Sequence, residues 1–207
     1  MGWETFINAS WAGSPRDAAG SARVSDMAKM SNESMKEPTT TEEVLALQKI
    51  LRSDSQRYLR IVNSWIEEHP ENAHALFERH FAWMKIGEPR KALEDLNKVV
   101  ELNPDMSAFF SRGLVRRHLG EYEQARDNFD RGEAIDPEQW ERDVFGLFYQ
   151  ADTHARLGNE SAALAYCARL PDDFWTPGIH GAPGGGKADI ADKLHHIAAD
   201  VRRKRVK

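Results

Sequence analysis

The sequence predicts an all-α protein, a short array of helix hairpins, and three observations carry that expectation. Apolar residues recur at helical spacing from about residue 41 onward, first Val44, Leu45, Leu47 and Leu51, then Leu59, Val62 and Ile66. Three segments align, KIGEPRKAL, HLGEYEQAR and RLGNESAAL; each has an aliphatic residue, then Gly (87, 120, 158), a polar residue, and Ala (92, 125, 163) five positions after the Gly. A third mark is Pro at 70, 104 and 137, in EEHPEN, ELNPDM and AIDPEQ; the glycines lie 33 and 38 residues apart and the prolines 34 and 33.

Each mark has a job in a helix hairpin. Glycine after an aliphatic residue adopts the left-handed conformation that ends a helix. The polar residues beside it start the next helix. The alanines let two backbones approach, and Leu96 and Phe129, four residues further on, supply the large core contact. Proline then blocks continuation of the second helix.

With these residues in place, the chain resembles the tetratricopeptide repeat family, stacked two-helix units of about 34 residues. The best unit spans roughly 106 to 139, with Phe109, Gly113, Gly120, Tyr122, Ala125, Phe129 and Pro137. The unit at 73 to 105 keeps Gly87, Ala92 and Pro104 but has Arg79 and His80 where the family prefers Leu and a small residue. A third, about 144 to 171, keeps Leu147, Ala151, Gly158, Ala163 and Pro171 after a short insertion near QWERD. A degenerate unit at 39 to 72 has Tyr58 and Trp65 where small residues are usual. The expected architecture is therefore a solenoid of about three repeats, a degenerate N-terminal unit and a C-terminal capping helix.

The expected division is a flexible leader over 1–40, the repeat array over 41–171, a Gly/Pro-rich linker over 172–187, and an amphipathic capping helix with a basic tail over 188–207. The leader is rich in Ser, Ala and Gly, with Trp3, Phe6 and Trp11 as aromatics able to dock on the body as a short helix. Ile190, Leu194, Ile197 and Val201 make one apolar stripe in the last segment. Such a helix caps the apolar end of a repeat stack, with a partner-binding helix as the alternative. Side chains added inside the linker, at Gly184 for instance, are expected to matter little.

Composition narrows the function classes. Of 207 residues 41% are hydrophobic and 29% charged, and the formal net charge of −5 makes no electrostatic case for nucleic acid. No apolar run approaches a membrane span, and the start lacks a basic, apolar signal pattern, so a cytoplasmic protein without membrane contact is expected. Cys167 is the single cysteine, which rules out an intrachain disulfide, and it reads as a buried structural residue.

Four places invite a chemical reading. Gly181, Gly186 and Lys187 spell the start of a phosphate-binding loop, G-x-x-x-x-G-K. That loop requires a buried strand before it and Ser or Thr after the lysine, and here Ala188 follows while LPDDFWTPGIH precedes. His74, Glu78 and His80 lie close together without a ligand pair of defined spacing, so no metal is expected. His195 and His196 flank the apolar stripe and read as solvated, and RRKRVK reads as cations favouring a helix C-terminus. No enzyme activity and no cofactor are expected.

What the resemblance implies is a binding groove lined by the first helix of each unit. Carried over residue by residue, that gives Phe77, Phe81, Met84 and Lys85 from one unit, Phe110, Leu114, Arg117 and His118 from the next, and Phe145, Phe148, Asp152 and Arg156 from the third. Phe110 and Phe145 read equally well as inter-repeat core. The Lys and Asn clamp with which some members hold a chaperone's C-terminal carboxylate is not matched, since Phe77, Phe81 and Ser111 stand in the aligned places. The implied function is a non-catalytic module, monomer or homodimer, that binds a peptide or helix of a partner protein. The alternatives are a secretion-type client chaperone and, more remotely, a nucleotide-binding enzyme.

Overall fold

Most helices start on a side chain that satisfies the free backbone N–H groups of the first turn. We describe the protein from a computed structural model, over residues 36–179 and 181–205. The leader with Trp3, Phe6 and Trp11 lies outside the described residues up to position 35. Thr40 and Glu43 form a reciprocal capping box at the start of α1 (Thr41–Ser53): the Glu43 N–H donates to Thr40 Oγ1 at 3.2 Å and the Thr40 N–H to Glu43 Oε2 at 3.0 Å. Asp54 caps α2 (Ser55–Glu68) and Asn72 caps α3 (Ala73–Lys85). Proline opens α4 (Pro89–Leu102) at its first position, where its missing N–H costs nothing.

The chain divides after Asn103 into two compact units. The second begins with α5 (Met106–His118), capped by Asp105, followed by α6 (Tyr122–Ile135) and the short α7 (Pro137–Arg142), capped by Asp136. Next come α8 (Val144–Arg156), capped by Asp143, and α9 (Glu160–Arg169). Two short strands, β1 (Trp175–Thr176) and β2 (Gly185–Gly186), pair antiparallel with Trp175 opposite Gly186, and α10 (Lys187–Arg205) closes the unit.

The three hairpin turns behave as their spacing predicts. Gly87, Gly120 and Gly158 have φ of 81°, 79° and 78°. Behind each glycine the chain folds back onto its helix: Glu88 N–H to Trp83 C=O at 2.8 Å, Glu121 N–H to Arg116 C=O at 2.9 Å, Asn159 N–H to His154 C=O at 2.9 Å. These are the closing bonds of a Schellman helix stop. Ala92, Ala125 and Ala163 are fully buried between paired helices. Gly113 is small by necessity, since a Cβ there would lie 2.5 Å from Cε1 of Phe129.

In the first unit the core joins Leu47, Leu51, Tyr58, Ile61, Val62 and Trp65 to Phe81 and Ala82. Tyr58 and Trp65, too large for the usual pattern, thus fill the interior of the degenerate hairpin. In the second unit Trp140 of α7 is fully buried, resting over Gly132 and Gly146, where added Cβ atoms would meet its ring at 2.8 and 3.2 Å. Its Nε1–H donates to Gln150 Oε1 at 2.8 Å.

Two expectations about the C-terminal part change. The segment 172–187 is a folded strap: Phe174, Thr176 and Ala182 are buried, and a Cβ on Gly184 would lie 2.5 Å from the carbonyl carbon of Pro177. A side chain at Gly184 is therefore not harmless. The helix starts at Lys187 and packs on α8 and α9 through Ile190, Leu194 and Ala198, all fully buried. Ile197 and Val201 of the expected stripe are half-buried, because a helix holding 190 and 194 inward brings 198 inward next.

Candidate functional site

The first helices of the hairpins, α3, α5 and α8, carry the residues expected to bind a partner. On α3, Phe77 is half-buried and meets Phe81 edge-on, with ring centroids 5.5 Å apart. His80 lies against Phe81 at 3.9 Å, and its Nδ1–H donates to the Phe77 carbonyl. Burial holds the His80 pKa down at about 3, the Phe77 carbonyl opposing that shift. Phe81 and Met84 are buried. Lys85 is exposed, and its Nζ donates to the Arg52 carbonyl at 2.9 Å, at the C-terminus of α1. Behind His80, the Tyr58 hydroxyl donates to the Glu78 carboxylate, and desolvation followed by that negative neighbour raises the tyrosine pKa.

On α5, Phe110 is buried in an aromatic cluster, its centroid 5.8 Å from both Phe129 and Trp140 and 6.4 Å from Tyr149. Leu114 is buried and His118 exposed. Arg117 is buried; its Nε donates to Asp152 Oδ2 at 2.8 Å, and its guanidinium lies 5.2 Å from the Tyr149 ring. Asp152, on α8, also accepts from Arg156 Nε at 2.8 Å, so two guanidinium groups share one carboxylate oxygen. A carboxylate fully removed from water needs this pairing. Arg156 further donates to the Tyr122 hydroxyl at 3.3 Å and to the Gly181 carbonyl of the strap.

The strap covers the rest of the α8 face. Phe174 sits with its centroid 5.6 Å from Phe148 and 6.2 Å from Phe145. Phe148 has no exposed surface and Phe145 is half-buried. The continuous aromatic surface expected from the sequence is thus mostly interior: Phe81, Met84, Phe110, Leu114, Arg117, Phe148 and Asp152 are buried. What remains open is Lys85 and His118, with Phe77, Phe145 and Arg156 in part. The cause lies in chain outside the repeats. The N-terminal hairpin closes over Phe81, α7 inserts Trp140 beside Phe110, and the strap lays Phe174 on Phe148.

Trp140 and Phe174 are the residues that sequence reasoning passed over. Trp140 had a readable signal: Asp136-Pro137 is a helix start, and the tryptophan is the one apolar residue of the six that follow. Phe174 had none beyond being aromatic in a polar loop.

The glycine segment satisfies its own polar groups. The Lys187 ammonium donates to the Leu170 carbonyl and to Asp172 at 3.0 Å, and the Gly186 N–H donates to Asp189 Oδ2 at 3.2 Å. The lysine and the Gly186 N–H are thus each bonded to a carboxylate of the chain. Cys167 is buried, and desolvation pushes its thiol pKa up, against the weaker pull of Lys187. Among the described residues no group of three His, Cys, Asp or Glu is placed to hold a metal ion, and no helix is long and apolar enough to cross a membrane.

This geometry defines a helix-hairpin repeat protein. A tetratricopeptide repeat family model matches residues 84–139, so this stretch carries the repeat. Over 51 residues it is 49% identical to an uncharacterized protein of Methanocaldococcus jannaschii, covering 24% of this chain and 59% of that protein. Over 80 residues it is 30% identical to the Hsp70-Hsp90 organizing protein of Triticum aestivum, covering 38% of this chain and 14% of that one. The chain thus spans less than two thirds of these relatives. Among solved structures, MamA superposes with a TM-score of 0.56 at 18% identity, covering 77% of this chain and 95% of MamA. YrrB, described as a repeat protein with an unusual peptide-binding site, gives 0.52 at 18%, covering 78% and 79%. At such identities the structures speak for the fold alone.

Proposed function

We propose that the protein is a non-catalytic interaction module that binds a peptide or helix of a partner protein on the first-helix faces of its hairpins. The observation that supports this most is that a partly open aromatic residue and a cation share a first helix twice: Phe77 and Lys85 on α3, and Phe145 and Arg156 on α8. Aromatic groups that are partly exposed anchor partners, and adjacent cations select an acidic or carboxylate feature. YrrB, a structure of the same fold, is described as having a peptide-binding site.

The test compares the full chain with a variant carrying Phe77→Ala, Lys85→Glu and His118→Glu, all at positions with open surface. Both are cross-linked to bound proteins and the captured set is read by mass spectrometry. A defined partner lost from the variant, at an unchanged melting temperature, supports the assignment. Identical captured sets overturn it.

A further inference from the structure

The strap between α9 and α10 runs along the very face of α8 that a partner would use. Phe145, Phe148, Asp152 and Arg156 recur at three and four residues and form one stripe. From Phe145 to Arg156 the helix rises about 16 Å. Phe174 covers the first end of that stripe and the Gly181 carbonyl meets Arg156 at the other.

The strap folds on itself and meets α8 through the Phe174 ring and the Gly181 carbonyl. Its ladder is two residues long. Its aromatic anchor on α8 is the Phe174 ring, while the neighbouring Trp175 is 67% exposed. Asp172 and Asp173 beside it are exposed as well. Segments with few buried apolar contacts open at low free-energy cost. Opening would leave Phe145 and Phe148 uncovered and Arg156 without its strap carbonyl. Charge also favours an exchange. Arg156 shares the carboxylate of Asp152 with Arg117, and the strap offers it only a neutral carbonyl. A carboxylate would make the stronger, charge-assisted bond.

We propose that the strap is an internal ligand of the third hairpin, and that it is displaced by a partner segment carrying one aromatic residue and one acidic residue. Over about 12 Å from Phe148 to Arg156, an extended segment at about 3.3 Å per residue sets those two residues about four apart. This deepens the function proposed above and rests on it, while adding a site that is closed until it is competed for.

The probe is a fluorescent peptide of residues 171–182, alongside the same peptide with Gly181→Asp and a control with Phe174→Ala. Each is titrated into the intact chain and into the full chain carrying Phe174→Ala. A site closed by its own strap binds with an affinity reduced by the open fraction. Binding of the native peptide to the Phe174→Ala chain should therefore be at least about tenfold tighter than to the intact chain. The Gly181→Asp peptide should bind tighter still and lose that advantage in high salt, and the control should not bind. Equal binding to both chains, or no saturable binding to a Phe174→Ala chain that melts normally, overturns the proposal. If Phe174→Ala unfolds, a chain with residues 171–184 replaced by a Gly-Ser segment of equal length takes its place. Unfolding of both makes the strap a structural element and overturns the proposal as well. Since the probe is the chain's own segment, a negative result leaves the captured-partner test of the α3 face standing.

Discussion

Six residues before Gly87 and Gly158 the two compact units place different chemistry at one and the same hairpin position: Phe81 on α3 in the first, Asp152 on α8 in the second, while Leu114, before Gly120, is apolar like Phe81. Both are buried. Phe81 is closed by the apolar hairpin of α1 and α2 and by the ring of His80. Asp152 is closed by two guanidinium groups and lies under the strap that Arg156 holds. The same helix position is thus sealed by apolar packing in one unit and by an ion network in the other. Repeat periodicity specifies which face points inward, and leaves open what covers it. The polar solution carries the greater risk, because a buried charge deprived of its partner is costly, whereas removing an apolar neighbour leaves only a cavity.

Asp152→Ala sharpens this difference most. It removes the carboxylate that pairs with the buried Arg117 and should cost about 3–5 kcal/mol, read as a lower urea midpoint. A loss below about 1 kcal/mol would mean that Arg117 reaches water easily and that the ion network is no more than decoration. The next effect is a pair. Gly120→Val places a β-branched residue at φ 79° with nothing within 4 Å, so its cost of about 1–3 kcal/mol is backbone strain alone. Gly184→Val meets the backbone of Pro177 instead, and should loosen the strap, detected as faster amide exchange over 171–186. Exchange unchanged at Gly184→Val would remove the close approach from the account.

The smallest effect is a pH dependence centred on the first unit. His80 has a folded pKa of about 3, below its unfolded value near 6.5. Above pH 6.5 neither state binds the proton. As pH falls below 6.5 the unfolded chain takes it up and the folded chain does not, so stability declines toward pH 3. Between pH 6.5 and 5.5, the interval in which the test is made, this costs about 1 kcal/mol. His80→Gln should flatten the fall in melting temperature between about pH 6.5 and 5.5. An identical pH profile in that variant would place the titration elsewhere, His154 in the second unit being the next histidine whose pKa burial lowers.

The hairpins were legible because their signals are local. Gly87, Gly120 and Gly158 end helices by backbone conformation, and Ala92, Ala125 and Ala163 mark where two helices touch, whatever else surrounds them. The face proposed to bind a partner was legible only as a direction. Phe77 and Lys85 keep open surface on it, but Phe110, Phe148 and Asp152 became interior because Trp140 and Phe174 arrive from segments with no repeat period. Gly184 illustrates the same limit: a glycine demanded by close approach of another chain segment looks, in one dimension, like any glycine in a loop.

By itself, then, the sequence determined the helices, their stops and the pairing within each hairpin, since these depend on residues inside a single hairpin. Only the tertiary structure decided which inward faces are closed and by what. Burial at Asp152 depends on Arg117, 35 residues away, and burial at Phe148 on a ring 26 residues later. Pairings over that separation are selected by how well whole surfaces fit and by the free-energy cost of burying charge without a partner, and neither quantity is carried by any short window of residues.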